Sequence, residues 1–349
     1  MSRCAVMHGI ISAQQENDGK EACRCFTGRA FFNKGDTRMI ETVVQNGLSV
    51  NEKMIIRKNR LAPKNLTGGE KRISVVTGTH GDELEGQYVC YELIRRISHD
   101  MCSLTGIVDV YPALNPLGVD TISRQIPVFD LDMNRIFPGS ESGAAAEHVA
   151  RKILDDLSGS DICIDIHSSD VFLREIPQVR IAKENAGKLL PFAKLLNTDF
   201  IWVGNSTAVH PSSLAYNLNE RGVPALVVEM GVGMRITKEY GDQLLDGIFR
   251  LMYEMGIWAG EKPEVSNPIV SSDGEVSMIH CNKSGVFIPS IRHWMGIEKG
   301  DRIGDIVNPF SGEVEEEIIT PVCGTVFTLR EYPIVTHGSL IARILGGAK

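Results

Sequence analysis

The chain has 349 residues, enough for two domains at roughly 100–200 residues each. Hydrophobic residues make up 43% and charged ones 23%, with 34 Gly and 15 Pro, an ordinary globular balance that excludes a mainly disordered or collagen-like chain. The 36 basic against 44 acidic residues leave a formal charge of −8, which argues against nucleic acid as a partner, and no apolar run reaches the roughly 18 residues of a bilayer span.

The first residues, Met1 to Cys4 followed by His8 and polar positions, lack the apolar region of a signal peptide. A cytoplasmic protein with no membrane partner is the expectation. Eight cysteines form no Cys-x-x-Cys pair and are expected to be reduced. Residues 1–69 form an N-terminal segment without a functional clue, containing an expected strand at Ala30–Phe32 and a linker from Ala62 to Gly69.

From Ile73 onward, short apolar runs at Ile73–Thr77, Ile107–Tyr111, Ile162–Ile166, Phe200–Val203 and Ala225–Val228 alternate with helix-period segments. Strands alternating with helices predict an α/β layer over residues 70–262, built on a mixed, largely parallel sheet flanked by helices. Apolar stripes define the helix faces: Val89, Leu93, Ile94 and Ile97; then Val149, Ile153, Leu154 and Leu157; then Leu244, Leu245, Ile248, Phe249 and Met252. Ser140 or Ser142 is the expected N-cap of the second helix.

Beyond Pro263 the helical period disappears. Strand-like segments recur about every ten residues, at Val276–Ile279, Gly285–Ile288, Asp305–Val307, Val314–Ile319, Gly324–Phe327 and Leu340–Ile344, predicting a smaller C-terminal all-β domain over residues 263–349. Its turns resemble those of lipoyl and biotinyl carrier folds. No lysine lies between Asn308 and Gly312, so a swinging-arm carrier is rejected.

Chemistry-bearing residues gather at the carboxyl ends of the predicted strands, where open α/β sheets build their sites. The first strand runs into Gly78-Thr79-His80-Gly81-Asp82-Glu83. An imidazole and a carboxylate three residues apart can converge on a metal, although the same tetrapeptide also suits a helix start with an acidic first turn. His167 follows the strand Ile162–Ile166, making three candidate ligands: His80, Glu83 and His167. A third strand ends in Glu229, a carboxylate after four apolar residues that needs a partner or a role. Between them lies a polar segment containing Asn115-Pro116, Arg124 and Asn134-Arg135-Ile136-Phe137-Pro138-Gly139. No helix or strand pattern explains its two arginines, whose planar forks suit carboxylates.

In this order, Gly78–Glu83, Asn115-Pro116, Asn134–Gly139, Asp165–Ser168 and Val228–Gly231 resemble the succinylglutamate desuccinylase/aspartoacylase family, within the zinc carboxypeptidase-like fold. The resemblance implies that His80, Glu83 and His167 hold one Zn2+ per chain and that Glu229 is the general base. It further implies that Arg124 polarises the scissile carbonyl, while Asn134 and Arg135 hold a substrate carboxylate. Aspartoacylase has a further arginine ahead of its glutamate; here the nearest candidate, Arg221, has a different spacing, and the segment from Arg124 to Asn134 is longer.

The resulting expectation is a zinc-dependent amidohydrolase of the deacylase type, acting on a small N-acyl amino acid. A zinc carboxypeptidase acting on peptides and a catalytically inactive zinc-dependent binding protein are the alternatives. Homo-oligomerisation is left open. A nucleotide-binding module is disfavoured, because the chain has neither Gly-x-Gly-x-x-Gly nor a Walker A motif.

Overall fold

The structure is a computed structural model describing residues 38–204, 210–272 and 275–346. The strand expected at Ala30–Phe32 lies outside the described residues, as do Cys4, Cys23 and Cys25. Two strands, β1 (Arg38–Gly47) and β2 (Lys53–Leu61), precede the α/β layer. That layer contains β3 (Arg72–Val76), α1 (Glu85–His99), β4 (Ile107–Tyr111), α2 (Pro116–Thr121), α3 (Ala145–Leu157), β5 (Ile162–Ser168), β6 (Leu173–Ala182), α4 (Ala186–Ala193), β7 (Phe200–Gly204), α5 (Leu214–Glu220), β8 (Ala225–Gly231) and α6 (Lys238–Glu254). The chain ends in strands: β9 (Ile269–Ser272), β10 (Val276–His280), β11 (Gly285–Pro289), β12 (Gly296–Ile297), β13 (Arg302–Asn308), β14 (Glu313–Ile319), β15 (Gly324–Arg330), β16 (Ile334–Val335) and β17 (Leu340–Leu345).

The main sheet has the order β1-β2-β4-β3-β5-β8-β6-β15-β17-β10. Its centre, β4-β3-β5-β8, is parallel, and antiparallel pairings continue it on both sides. The parallel centre requires helical crossovers, which cover both faces and make its strands nearly continuous apolar runs. Three C-terminal strands, β10, β15 and β17, extend this sheet beyond β6. Four others form a small antiparallel sheet, β14-β13-β11-β16, packed around Phe287, Ile303, Ile306 and Ile318.

Two cores lie on opposite faces of the sheet. The period-2 alternation of strand side chains sends Ile162, Ile164 and Ile166 of β5 to one core, with the apolar stripes of α1 and α6. Cys163 points to the other, with the stripe of α3. The α3 boundary differs from expectation. Its N-cap is Ala144, not Ser140 or Ser142, because Glu147 in the first turn reaches back to accept from the Ala144 N–H at 2.8 Å. That bond supplies one half of a capping box without a hydroxyl. Among the described residues, Cys90, Cys102, Cys163, Cys281 and Cys323 are free thiols, and no helix is long and apolar enough to cross a membrane.

Candidate functional site

The site begins with alternation. On β8, Leu226, Val228 and Met230 join the α1/α6 core, whereas Ala225 and Val227 face the opposite way. Glu229 follows on the face of Val227. On β5, Asp165 and His167 continue the face of Cys163. The parallel register sets Asp165 beside Val227 and His167 beside Glu229. An apolar face thus becomes polar at the carboxyl end of two adjacent strands. On the other side of β8, antiparallel β6 sets Gln178 opposite Glu229 and Arg180 opposite Val227.

The loop from β3 to α1 carries His80 and Glu83 to the same place. Gly81 makes this path available: a Cβ there would collide with the backbone of Gly118 and Val119. Its N–H donates to Ser123 O at 2.9 Å. Glu83 bridges the two imidazoles, with Oε1 2.6 Å from His80 Nδ1 and Oε2 2.8 Å from His167 Nδ1. Behind each ring stands another carboxylate. Asp132 Oδ1 is 3.1 Å from His80 Nε2, and Asp165 Oδ1 is 3.2 Å from His167 Nε2.

His80, Glu83 and His167 are all buried, and their ligand atoms lie within 4.8 Å of one another. Two imidazoles and a carboxylate, with each imidazole backed by a further carboxylate, are donor chemistry suited to a divalent metal. The electrostatics agree. Burial opposes charge on both histidines, yet Glu83 and Asp132 raise the pKa of His80, while Asp165 and Glu83 raise that of His167 well above its ordinary value. Burial likewise opposes ionisation of Glu83, but the two imidazoles outweigh it and lower its pKa. The nest favours positive charge at its centre, which a cation supplies by replacing protons.

Glu229 behaves differently. Burial pushes its carboxyl up to about 7, against the lowering influence of Arg180 and His167. A carboxylate of that basicity is suited to taking up a proton near neutral pH.

A cavity of about 240 Å³ opens over this centre and brings together every site residue expected from the sequence: His80, Glu83, Arg124, Asn134, Arg135, His167 and Glu229. Arg124 donates through Nη1 to Glu83 Oε1 at 3.1 Å and lies 3.3 Å from Asp132 Oδ2. Asn134 and Arg135 sit in a short 3-10 turn, Met133–Arg135, capped by Asp132, which accepts from Asn134 N at 2.8 Å. Asn134 Oδ1 accepts from Leu214 N at the start of α5, at 2.9 Å. Arg135 is exposed at the rim, where its Nη1 donates to Asn134 O at 2.9 Å.

Arg221 does not reach the cavity. It is held by Asp155 and Ser158 at 2.8 and 3.0 Å. The guanidinium beside Glu229 is instead that of Arg180, whose Nη1 lies 3.3 Å from Glu229 Oε1. Glu175, Arg180 and His210 also line the cavity, as does Arg343 from β17. None of these was singled out from the sequence. A signal was present, since Arg343 interrupts the apolar strand β17 and Arg180 stands between Val179 and Ile181 near the end of β6, where an unpaired cation is costly.

The family model for the succinylglutamate desuccinylase/aspartoacylase catalytic domain matches residues 70–255. A relative from Halomonas elongata, N-alpha-acetyl-L-2,4-diaminobutyric acid deacetylase, is 31% identical over 113 residues; the match spans 31% of this chain and 32% of the relative. Among solved structures, a succinylglutamate desuccinylase/aspartoacylase from Rhodobacter sphaeroides aligns with TM-score 0.75 at 21% identity, covering 92% of this chain and 99% of that one. The product-bound ectoine utilization protein of Ruegeria pomeroyi aligns with TM-score 0.76 at 19% identity, covering 90% and 96%. With more than half of its length matching the family model, the chain belongs to the succinylglutamate desuccinylase/aspartoacylase family.

Proposed function

We propose that this chain is a zinc-dependent deacylase, an amidohydrolase that removes the acyl group from an N-acyl amino acid or a similar small carboxylate-bearing amide. The observation that carries this reading is the pairing of His167 with Glu229 in one strand register, which sets a basic carboxylate beside a ligand triad inside a small cavity. The Halomonas elongata relative, named as a deacetylase of an N-acetylated amino acid, supports the same substrate class.

In this reading His80, Glu83 and His167 hold the ion. Zinc in such a site supplies Lewis acidity and makes water nucleophilic near pH 7. Glu229 takes a proton from the attacking water on its carboxylate and returns it to the leaving amine. Arg124, whose guanidinium reaches the triad, donates to the carbonyl oxygen as negative charge develops there. Asn134 has spent its oxygen on Leu214 N, leaving amide N–H groups for a substrate. With the guanidinium of Arg135, the turn offers donors for a carboxylate.

Residues 70–262 serve here as the catalytic unit, with residues 263–349 narrowing its mouth. Arg343 of β17 among the lining residues favours a small substrate over a peptide, which needs a groove for several residues. Glu229 and Arg124, both at the cavity, favour an enzyme over an inactive binding protein. The test is amine release by zinc-loaded protein from a panel of N-acyl amino acids and short peptides with free C-termini. Turnover of N-acyl amino acids is expected; cleavage confined to peptides favours the carboxypeptidase, and zinc-bound protein that cleaves neither favours the binding protein.

A further inference from the structure

Glu175, Arg180 and Arg343 form a charged chain beside the cavity that the proposed reaction leaves unused. Arg343 Nη1 donates to Glu175 Oε1. Arg180 Nη2 donates to Glu175 Oε2 at 2.7 Å, and its Nη1 lies 3.3 Å from Glu229 Oε1. Thr328 Oγ1 adds a donor to Glu175 Oε1 at 3.4 Å. Both guanidinium carbons lie over the Trp202 ring, 5.7 Å and 5.8 Å from its centroid, which limits where either arginine can move. Two carboxylates are therefore balanced by two guanidiniums, and Arg180 is shared between them.

The balance is unequal. The Glu175 side chain is 1% exposed and that of Glu229 is 15% exposed, so leaving Glu175 short of a cation carries the larger desolvation penalty. Without Arg343, both forks of Arg180 are drawn to Glu175. We infer that Arg343 is a positioning residue for Glu229, acting through Glu175 and Arg180: by satisfying Glu175, it leaves one fork of Arg180 to orient the Glu229 carboxylate toward the metal-ligand triad. A strand of the C-terminal segment thereby sets the geometry of the proposed base. The inference rests on the reading of Glu229 as general base and extends it to a residue more than a hundred positions away in sequence.

The test uses the full chain with R343M, E175Q and the double variant E175Q/R343M. It reads metal-free crystal structures and, on zinc-loaded protein, kcat and KM separately. In R343M, Arg180 moves off Glu229 onto Glu175 and kcat falls about tenfold with KM unchanged, within the range of coupling for charges in one network. In E175Q/R343M, Glu229 is the carboxylate left for Arg180, and the contact and most of kcat return. Should R343M fail to fold, E175Q reads the chain from the other side. There Arg180 keeps its contact with Glu229 in the crystal structure.

Arg180 remaining on Glu229 in R343M, or leaving it in E175Q, overturns the inference. A rise in KM at constant kcat that E175Q does not rescue also overturns it, assigning Arg343 to direct substrate contact. If the parent protein hydrolyses no N-acyl amino acid, the functional reading fails separately, while the crystal structures still decide whether Arg343 controls Arg180.

Discussion

His167 and Glu229 stand directly opposite one another on the parallel strands β5 and β8, and that single register relation places a candidate metal ligand and a candidate proton acceptor on the same face at the same depth. A slip of one residue in either strand would send one of the two side chains into the α1/α6 core.

The ligand set predicts about one zinc per chain in protein purified without added metal, as measured by elemental analysis. His80→Ala and His167→Ala each lose most of it, since each removes one of three protein donors. Asp165→Asn keeps the ligands but removes the charge behind His167, and weakens zinc affinity by about 10–100-fold. Undiminished zinc in either histidine variant would rule out the ligand assignment.

Glu229→Gln retains zinc and fold but loses about 10²–10⁴-fold in kcat, the usual contribution of a general acid–base group. The pH profile carries a sign. A base acts only when deprotonated, so kcat/KM of the parent falls about tenfold per unit as pH drops below the Glu229 pKa. That pKa is about 7 in the metal-free site, and a nearby cation lowers it. The acidic limb is therefore expected at or below about pH 7 and is absent in Glu229→Gln. An unchanged limb in that variant assigns the proton to another group.

Asn134 and Arg135 predict discrimination between a carboxylate and its carboxamide. Arg135 is exposed at the rim, so the penalty for leaving it unpaired is small. What is lost is one charged hydrogen bond, about 1.5–3 kcal/mol, or roughly tenfold to a hundredfold in kcat/KM. Arg135→Ala removes the preference and keeps zinc. Equal cleavage of acid and carboxamide by the parent protein counts against the anchor.

Away from the cavity, Asp109 is fully buried between Lys58, Arg60 and Arg72, at 3.4, 2.8 and 2.6 Å. Burial opposes its ionisation, but the three cations outweigh burial and hold its pKa below the usual carboxylate value. The folded state thus binds its proton more weakly than the unfolded chain does. The stabilisation is present above the unfolded value of about 3.9 and is lost as pH falls below it. Asp109→Asn leaves three cations around a neutral group and costs about 3–5 kcal/mol at neutral pH. Urea unfolding at pH 7 and pH 3 checks both: the gap between parent and variant shrinks at the lower pH.

The α/β layer was legible because its signals are local. Ile162–Ile166 and Ala225–Val228 read as buried strands, and Val149, Ile153, Leu154 and Leu157 read as a helix face, because side-chain direction follows from backbone period alone. His80, Glu83, His167 and Glu229 were legible for a related reason: each stands at or just beyond the carboxyl end of such a strand, where a parallel sheet gathers its ligands. The partners of those residues were not legible. Arg221 lies closer to Glu229 in sequence, yet Arg180 stands beside it, because β6 runs antiparallel to β8 and folds back across it. Arg343 reaches the cavity from 114 positions beyond Glu229 because β15 pairs with β6 and β17 pairs with β15. Strand order and register are decided by which faces must be buried together, a property of the whole chain. Periodicity along a segment determined where the candidate ligands and the proposed base could stand, and only the assembled sheet decided which cations stand beside them.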